Sequence, residues 1–126
     1  MLKEDKFSWK KRACAFKYAW QGMKALLKYE HNARIHFVAA LMAVVAGFIF
    51  HIEAWEWCAV VVCIGMVIAA EALNSAVEAL ADKITGEHDV IIGRAKDFGA
   101  AAVTFLALVS VIVGLIIFIP KIIILF

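Results

Sequence analysis

The chain lacks the common signatures of nucleotide, zinc and disulfide chemistry. Its seven glycines form neither GxxxxGK[ST] nor GxGxxG, so neither a P-loop nor a dinucleotide-binding fold is supported, and any nucleotide site must be unconventional. The cysteines, Cys14, Cys58 and Cys63, are odd in number and form no CxxC or Cys/His pattern. Two lie within an apolar run, so they read as small apolar residues without a structural disulfide. His31, His36, His51 and His88 show no HExxH or comparable ligand spacing, and each reads as an interface-seeking or hydrogen-bonded side chain. Proline occurs once, and charge is scarce. Only 19% of the 126 residues are charged against 65% hydrophobic, and the mean hydropathy of +0.88 far exceeds what a soluble domain needs for its core. The composition is that of a membrane protein, read as one domain over residues 1–126.

Three apolar stretches, 35–52, 55–73 and 98–119, each hold about the 17 to 25 residues that a helix needs to cross a hydrocarbon core of roughly 30 Å. The fold class read from them is all-α, with three transmembrane helices. The first stretch begins at Ile35 without a small-residue cleavage site, so no removed secretory signal is expected. Before it, lysines alternate with Trp9, Phe16, Tyr18, Trp20, Met23, Leu26 and Leu27 over residues 9–29, a pattern suited to an amphipathic helix lying in the interface near anionic headgroups.

Positive charge is distributed unevenly. Nine Lys or Arg residues precede the first span (Lys3, Lys6, Lys10, Lys11, Arg12, Lys17, Lys24, Lys28, Arg34), three lie in the second connection (Lys83, Arg94, Lys96), and none lies in the first connection around Glu53. The positive-inside rule then places the N-terminus and the loop from Asp82 to Asp97 in the cytoplasm, with the turn near Glu53 and the C-terminal tail outside. The basic N-terminus is accounted for by anionic lipid, and no nucleic acid partner is implied.

The segment AAEALNSAVEALADK, residues 69–83, follows an uncharged run from Cys58 to Ile68. Asn74 and Glu78 lie three and seven residues after Glu71, so on a helix all three share one face, with Ser75 and Asp82 close by. The alanines between them permit close helix approach. A carboxylate within a span costs a few kcal/mol on insertion scales, so such residues face a bundle interior, pair with a partner or serve a function. The alternative, a helix simply emerging into water at Asn74, explains Glu71 least. Glu30 just before the first span, and Lys96 and Asp97 just before the third, fall on the same side, with Glu71 about 10 Å deeper than Glu78 at about 1.5 Å per residue. Two carboxylates can hold Mg²⁺ together with nucleotide phosphates, a lysine can offset phosphate charge, and a deeper carboxylate can accept a proton from a lipid hydroxyl. A second class, a small oligomeric ion or proton transporter with Glu71 and Glu78 lining its path, would require polar groups across the whole membrane. The outer halves of the three spans offer few.

The sequence EALNSAVEALADKITGEHDVIIGRAKDFGAAAV resembles the signature region of the small integral-membrane lipid kinases, the prokaryotic diacylglycerol kinase and undecaprenol kinase family, and YAWQGMKALLKYEHNARIH extends the likeness toward the N-terminus. The resemblance implies a homotrimer in the bacterial inner membrane, with active sites built between neighbouring subunits on the cytoplasmic side. It implies ATP as phosphoryl donor, Mg²⁺ as cofactor and a lipid alcohol as acceptor, with diacylglycerol going to phosphatidic acid preferred over undecaprenol going to undecaprenyl phosphate. By position it implies Glu71 as proton acceptor with Asn74 beside it, and Glu30 and Glu78 as metal ligands. Lys11, Tyr18, Glu30, Glu78, Glu87, Asp89, Lys96 and Asp97 would contact ATP, and Glu71, Trp20 and Arg34 the lipid. The chain departs from the diacylglycerol kinase branch at His88-Asp89, where Tyr-His is usual, and the family's basic nucleotide contact falls on Lys11, with Arg12 adjacent.

Overall fold

A computed structural model describes residues 6–126; Lys3, one of the nine N-terminal basic residues, lies outside them. Those residues form four helices: α1 (Trp9–Tyr29), α2 (His31–Ile49), α3 (Ala54–Ile84) and α4 (Val90–Leu125). Three of them, α2, α3 and α4, are long and apolar enough to cross a membrane.

Capping chemistry sets the helix limits. The Ser8 side chain accepts from the Lys11 amide to start α1, and the backbone turns extended at Glu30, which ends α1 and begins α2. The joint is fastened by Arg34, whose guanidinium reaches back from α2 to donate to the carbonyls of Leu27, at 2.7 Å, and Lys28. Those carbonyls are among the last of α1, which have no partner within the helix.

The first apolar stretch extends to Ile52, but α2 stops at Ile49 because the chain reverses there. His51 takes the left-handed backbone conformation (φ 51°), which histidine tolerates better than most non-glycine residues. Glu53 and Glu56 then form a reciprocal capping box, with the Glu53 amide 3.0 Å from Glu56 Oε1. Gly47 fits the turn because a Cβ there would lie 2.6 Å from the Trp57 ring.

Helix α3 continues from the apolar stretch through Leu73 to Ile84, its alanine-rich sequence carrying it past the last strongly apolar turn. At about 1.5 Å per residue it measures about 47 Å, well over the roughly 30 Å of hydrocarbon, so one end projects beyond the apolar core. Asp89 starts α4 eight residues before the third apolar stretch, accepting from the amides of Ile91 (2.9 Å) and Ile92 (3.0 Å).

Helices α3 and α4 form the main packing pair, α2 lies against α3, and α1 joins α2 and α3 more lightly, with Leu26 its buried residue. The apolar cluster of Ile52, Val60 and Ile117 closes the end near the α2–α3 turn. Beside it, Glu56 is buried and its Oε2 lies 3.0 Å from Lys121 Nζ, a cross-link from the start of α3 to the end of α4. Large apolar side chains elsewhere are mostly exposed, among them Leu41, Phe48, Val61, Phe105 and Ile116. In water such a surface would drive association; in lipid it faces a solvent as apolar as itself.

Candidate functional site

The opposite end of α3 carries the polar face. Helical spacing puts Glu71, Asn74 and Glu78 on one side of α3, and the approach of α2 and α4 buries the first two. Glu71 is 2% exposed and Asn74 9%. Glu71 Oε2, Asn74 Oδ1 and Ser75 Oγ are buried and have no hydrogen-bond partner among the described residues. Buried polar atoms without partners are costly, so three within five residues mark a place where stability has yielded to another requirement.

Close helix approach produces this arrangement. Gly99 on α4 lies directly against the Asn74 amide, so a Cβ at residue 99 would collide with Oδ1. From the other side α2 brings His36 Nε2 to 3.6 Å from Glu71 Oε2, with the imidazole 20% exposed. The charges of Glu30 and Glu78 also act on Glu71, and both of these carboxylates are half-buried.

A basic group continues the chain of charges. Lys96 Nζ lies 3.0 Å from Asp82 Oδ1 and also interacts with Glu78, so Glu30, Glu71, Glu78, Lys96 and Asp82 form one electrostatic sequence across α2, α3 and α4. Next to it, a polar pocket of about 360 Å³ opens between the end of α3 and the start of α4, lined in part by Asp82, Glu87, His88, Asp89 and Lys96.

The expected site residues thus separate into groups. Glu71 and Asn74 share the buried face of α3, the charges of Glu30 and Glu78 act on Glu71, and Glu87 and Asp89 share the adjacent pocket with Lys96. Asp97 follows on the exposed side of α4. Asp89 also has a local task, since one of its carboxylate oxygens caps α4. Arg34 holds the α1–α2 joint, leaving the rest of its five donors for other partners. Lys11, Tyr18 and Trp20 are exposed on α1, away from the packed polar face; Trp20 lies beneath the Lys24 ammonium, 5.9 Å from the ring centroid.

Three participants carry no assigned role in the site as read from the sequence. His36 reads from the sequence as an interface or hydrogen-bonded histidine, and its place near the same end of the spans as Glu71 is the available signal. Asp82 was noted near the polar face but without its lysine partner. Gly99 lies in the segment GRAKDFGAAAV, and nothing local pairs it with Asn74.

No group of three or more His, Cys, Asp or Glu side chains among the described residues is arranged to hold a metal ion by itself. A donor set of two carboxylates, such as the half-buried Glu30 and Glu78 would supply together, would suit a Mg²⁺ ion, which takes one or two carboxylates from protein and completes its octahedron with phosphate and water. It does not suit a Ca²⁺ or Zn²⁺ cage built from one chain.

Comparison with known proteins identifies the family. The family model described as Prokaryotic diacylglycerol kinase matches residues 17–118. Undecaprenol kinase of Bacillus subtilis is 36% identical over 107 residues, 85% of this chain and 87% of that protein. Diacylglycerol kinase of Escherichia coli is 38% identical over 95 residues, 75% and 78% of the two chains. Diacylglycerol kinase of Haemophilus influenzae is 35% identical over 103 residues, 81% and 87%. The chain therefore belongs to the prokaryotic diacylglycerol kinase family, and is a membrane lipid kinase that takes its phosphoryl group from ATP.

Proposed function

We propose that the acceptor is diacylglycerol and the product phosphatidic acid, with Glu71 as the group that takes the acceptor's proton. The observation that carries this reading is the buried, unpartnered Glu71 Oε2 at the meeting of α2 and α3, with further carboxylates and a lysine extending from it toward the polar pocket. A lipid hydroxyl beside Glu71 transfers its proton to the carboxylate as its oxygen bonds to the γ-phosphorus, and the bond from that phosphorus to the β–γ bridging oxygen breaks, releasing ADP.

Other roles follow from position. Mg²⁺ held by Glu30 and Glu78 would offset charge on the phosphate oxygens. Lys96 is suited to a phosphate contact, with Asp97, Glu87 and Asp89 around the nucleotide. Asn74, one turn from Glu71, is placed to orient the acceptor or its carboxylate. Lys11, Tyr18 and Trp20 lie on the exposed face of α1 and would reach nucleotide or lipid across a subunit boundary, which is one reason to propose a homotrimer. In this reading the polar end faces the cytoplasm of a bacterial inner membrane, where ATP is available.

A second acceptor, undecaprenol, is favoured by the Bacillus subtilis relative, whose likeness spans 85% of this chain. One experiment tests both. Purified protein in micelles is given Mg²⁺ and ATP labelled at the γ-phosphate, with dioleoylglycerol or a polyprenol as acceptor. The proposal expects dioleoylglycerol to be labelled faster, and Glu71→Gln to lower the rate by about 10²- to 10⁴-fold, the usual contribution of general base catalysis. Faster labelling of the polyprenol replaces the acceptor; full activity in Glu71→Gln removes Glu71 from the chemistry.

A further inference from the structure

Accepting Glu71 as the proton acceptor, we infer that His36 is its positioning residue: an imidazole on α2 whose N–H holds one carboxylate oxygen so that the other faces the lipid hydroxyl. The inference begins with the asymmetry of Glu71. Its Oε2 is buried without a hydrogen-bond partner, and His36 Nε2 is 3.6 Å away. That distance is slightly too long for a hydrogen bond, and a side-chain adjustment of a few tenths of an ångström closes it. Hydrogen bonds at catalytic groups commonly tighten in this way once substrate is bound.

The surroundings favour this partner. Of the three groups that act on Glu71, Glu30 and Glu78 are carboxylates that repel its negative charge, and His36 alone carries an N–H to donate to it. The imidazole also borders a mostly apolar cleft of about 310 Å³ between α2, α3 and α4, where Ala40, Val67 and Ile68 are apolar and the Ser110 hydroxyl is engaged with the Leu106 carbonyl. Its N–H therefore has Glu71 as the natural destination.

The chemical consequence is geometric. A carboxylate on a flexible two-carbon stem rotates about its terminal torsion, and only some of its orientations present an oxygen to the acceptor hydroxyl. With Nε2–H donating to Oε2, the plane is fixed and Oε1 is free to receive the proton. His36 keeps its own proton throughout. Its location on α2 also ties the orientation of Glu71 to the packing of α2 on α3.

The test compares His36→Ala, His36→Leu and His36→Gln with the native protein in the micellar kinase assay, measuring kcat and the KM for ATP and for lipid, with thermal unfolding of each variant. Leucine restores most of the packing volume without a donor, whereas glutamine supplies an N–H at similar reach. The expected result is a kcat lowered about 10- to 100-fold in the alanine and leucine variants, as for a catalytic group misplaced by about 1 Å, with the KM for ATP within twofold of native. Glutamine should recover at least tenfold of any loss that exceeds it. Native kcat in His36→Leu overturns the inference. Equal losses in the leucine and glutamine variants, matched by equal drops in unfolding temperature, overturn it in favour of packing. Full activity in Glu71→Gln fails the underlying assignment instead, which separates the two.

Discussion

Gly99→Ala is the smallest perturbation that reaches the site. The added Cβ would collide with Asn74 Oδ1 and lie 3.4 Å from Asn74 Cγ and 3.6 Å from its Cα. Overpacking of this kind costs typically about 1–3 kcal/mol. Against that, Gly99 has ordinary helical backbone angles, and alanine in a helix interior is better than glycine by about 1 kcal/mol. The net change in stability is therefore a loss of roughly 0 to 2 kcal/mol, a small effect for the fold. The site should feel far more. Asn74 borders an apolar cleft of about 350 Å³ and would swing toward it, leaving its place one turn from Glu71. A displacement of about 1 Å near reacting groups can lower a rate roughly 100-fold.

The assay is kcat in mixed micelles beside reversible unfolding in a denaturing detergent, for Gly99→Ala, Asn74→Ala and the double variant. Removing the Asn74 side chain removes the collision, so Gly99→Ala should destabilise the native protein but stabilise the Asn74→Ala background, which gains the helix propensity without the clash. Activity should stay low in all three. Identical effects of Gly99→Ala on stability in both backgrounds would refute the contact, and native kcat in Gly99→Ala would refute the need for Asn74 to stay where it is.

Two further outcomes concern the far end of the molecule. Lys121→Met leaves the buried Glu56 carboxylate without its cation and should lower the unfolding temperature, whereas the added change Glu56→Gln should recover much of the loss; equal unfolding of the single and double variants would mean that the pair is solvated. Gly47→Ala forces a Cβ to within 2.6 and 2.8 Å of the Trp57 ring and should cost about 1–3 kcal/mol with a shift in tryptophan emission, and an unchanged spectrum and stability would show that the turn yields easily.

These contacts divide according to how they are encoded. The three spans were legible because lipid demands long apolar runs, and α2, α3 and α4 each contain most of one such run, while α1 covers the segment where lysines interleave with aromatic residues. The shared face of Glu71, Asn74 and Glu78 was legible because a helical period relates residues on one element. Boundaries were less so: α2 ends three residues before its apolar stretch because the turn residue His51, rather than hydropathy, decides where the chain reverses. Asp89 was read as a nucleotide contact, although its position ahead of VIIGRAK was also that of an N-cap.

Contacts between helices leave no such period. His36 meets Glu71, Gly99 meets Asn74 and Glu56 meets Lys121 across gaps in sequence that neither spacing nor composition bridges. Yet each involves a residue that the sequence makes anomalous: a carboxylate within an apolar helix, or a glycine where alanine would form a better helix. Lipid supplies no hydrogen bonds to absorb a misplaced polar group, so such a residue must find a partner on another helix or remain unsatisfied for a reason. Glu56 has found its partner in Lys121. Glu71 keeps one oxygen unpaired with a histidine just out of reach, and this difference between two glutamates on one helix separates the structural end of the molecule from the end proposed for chemistry.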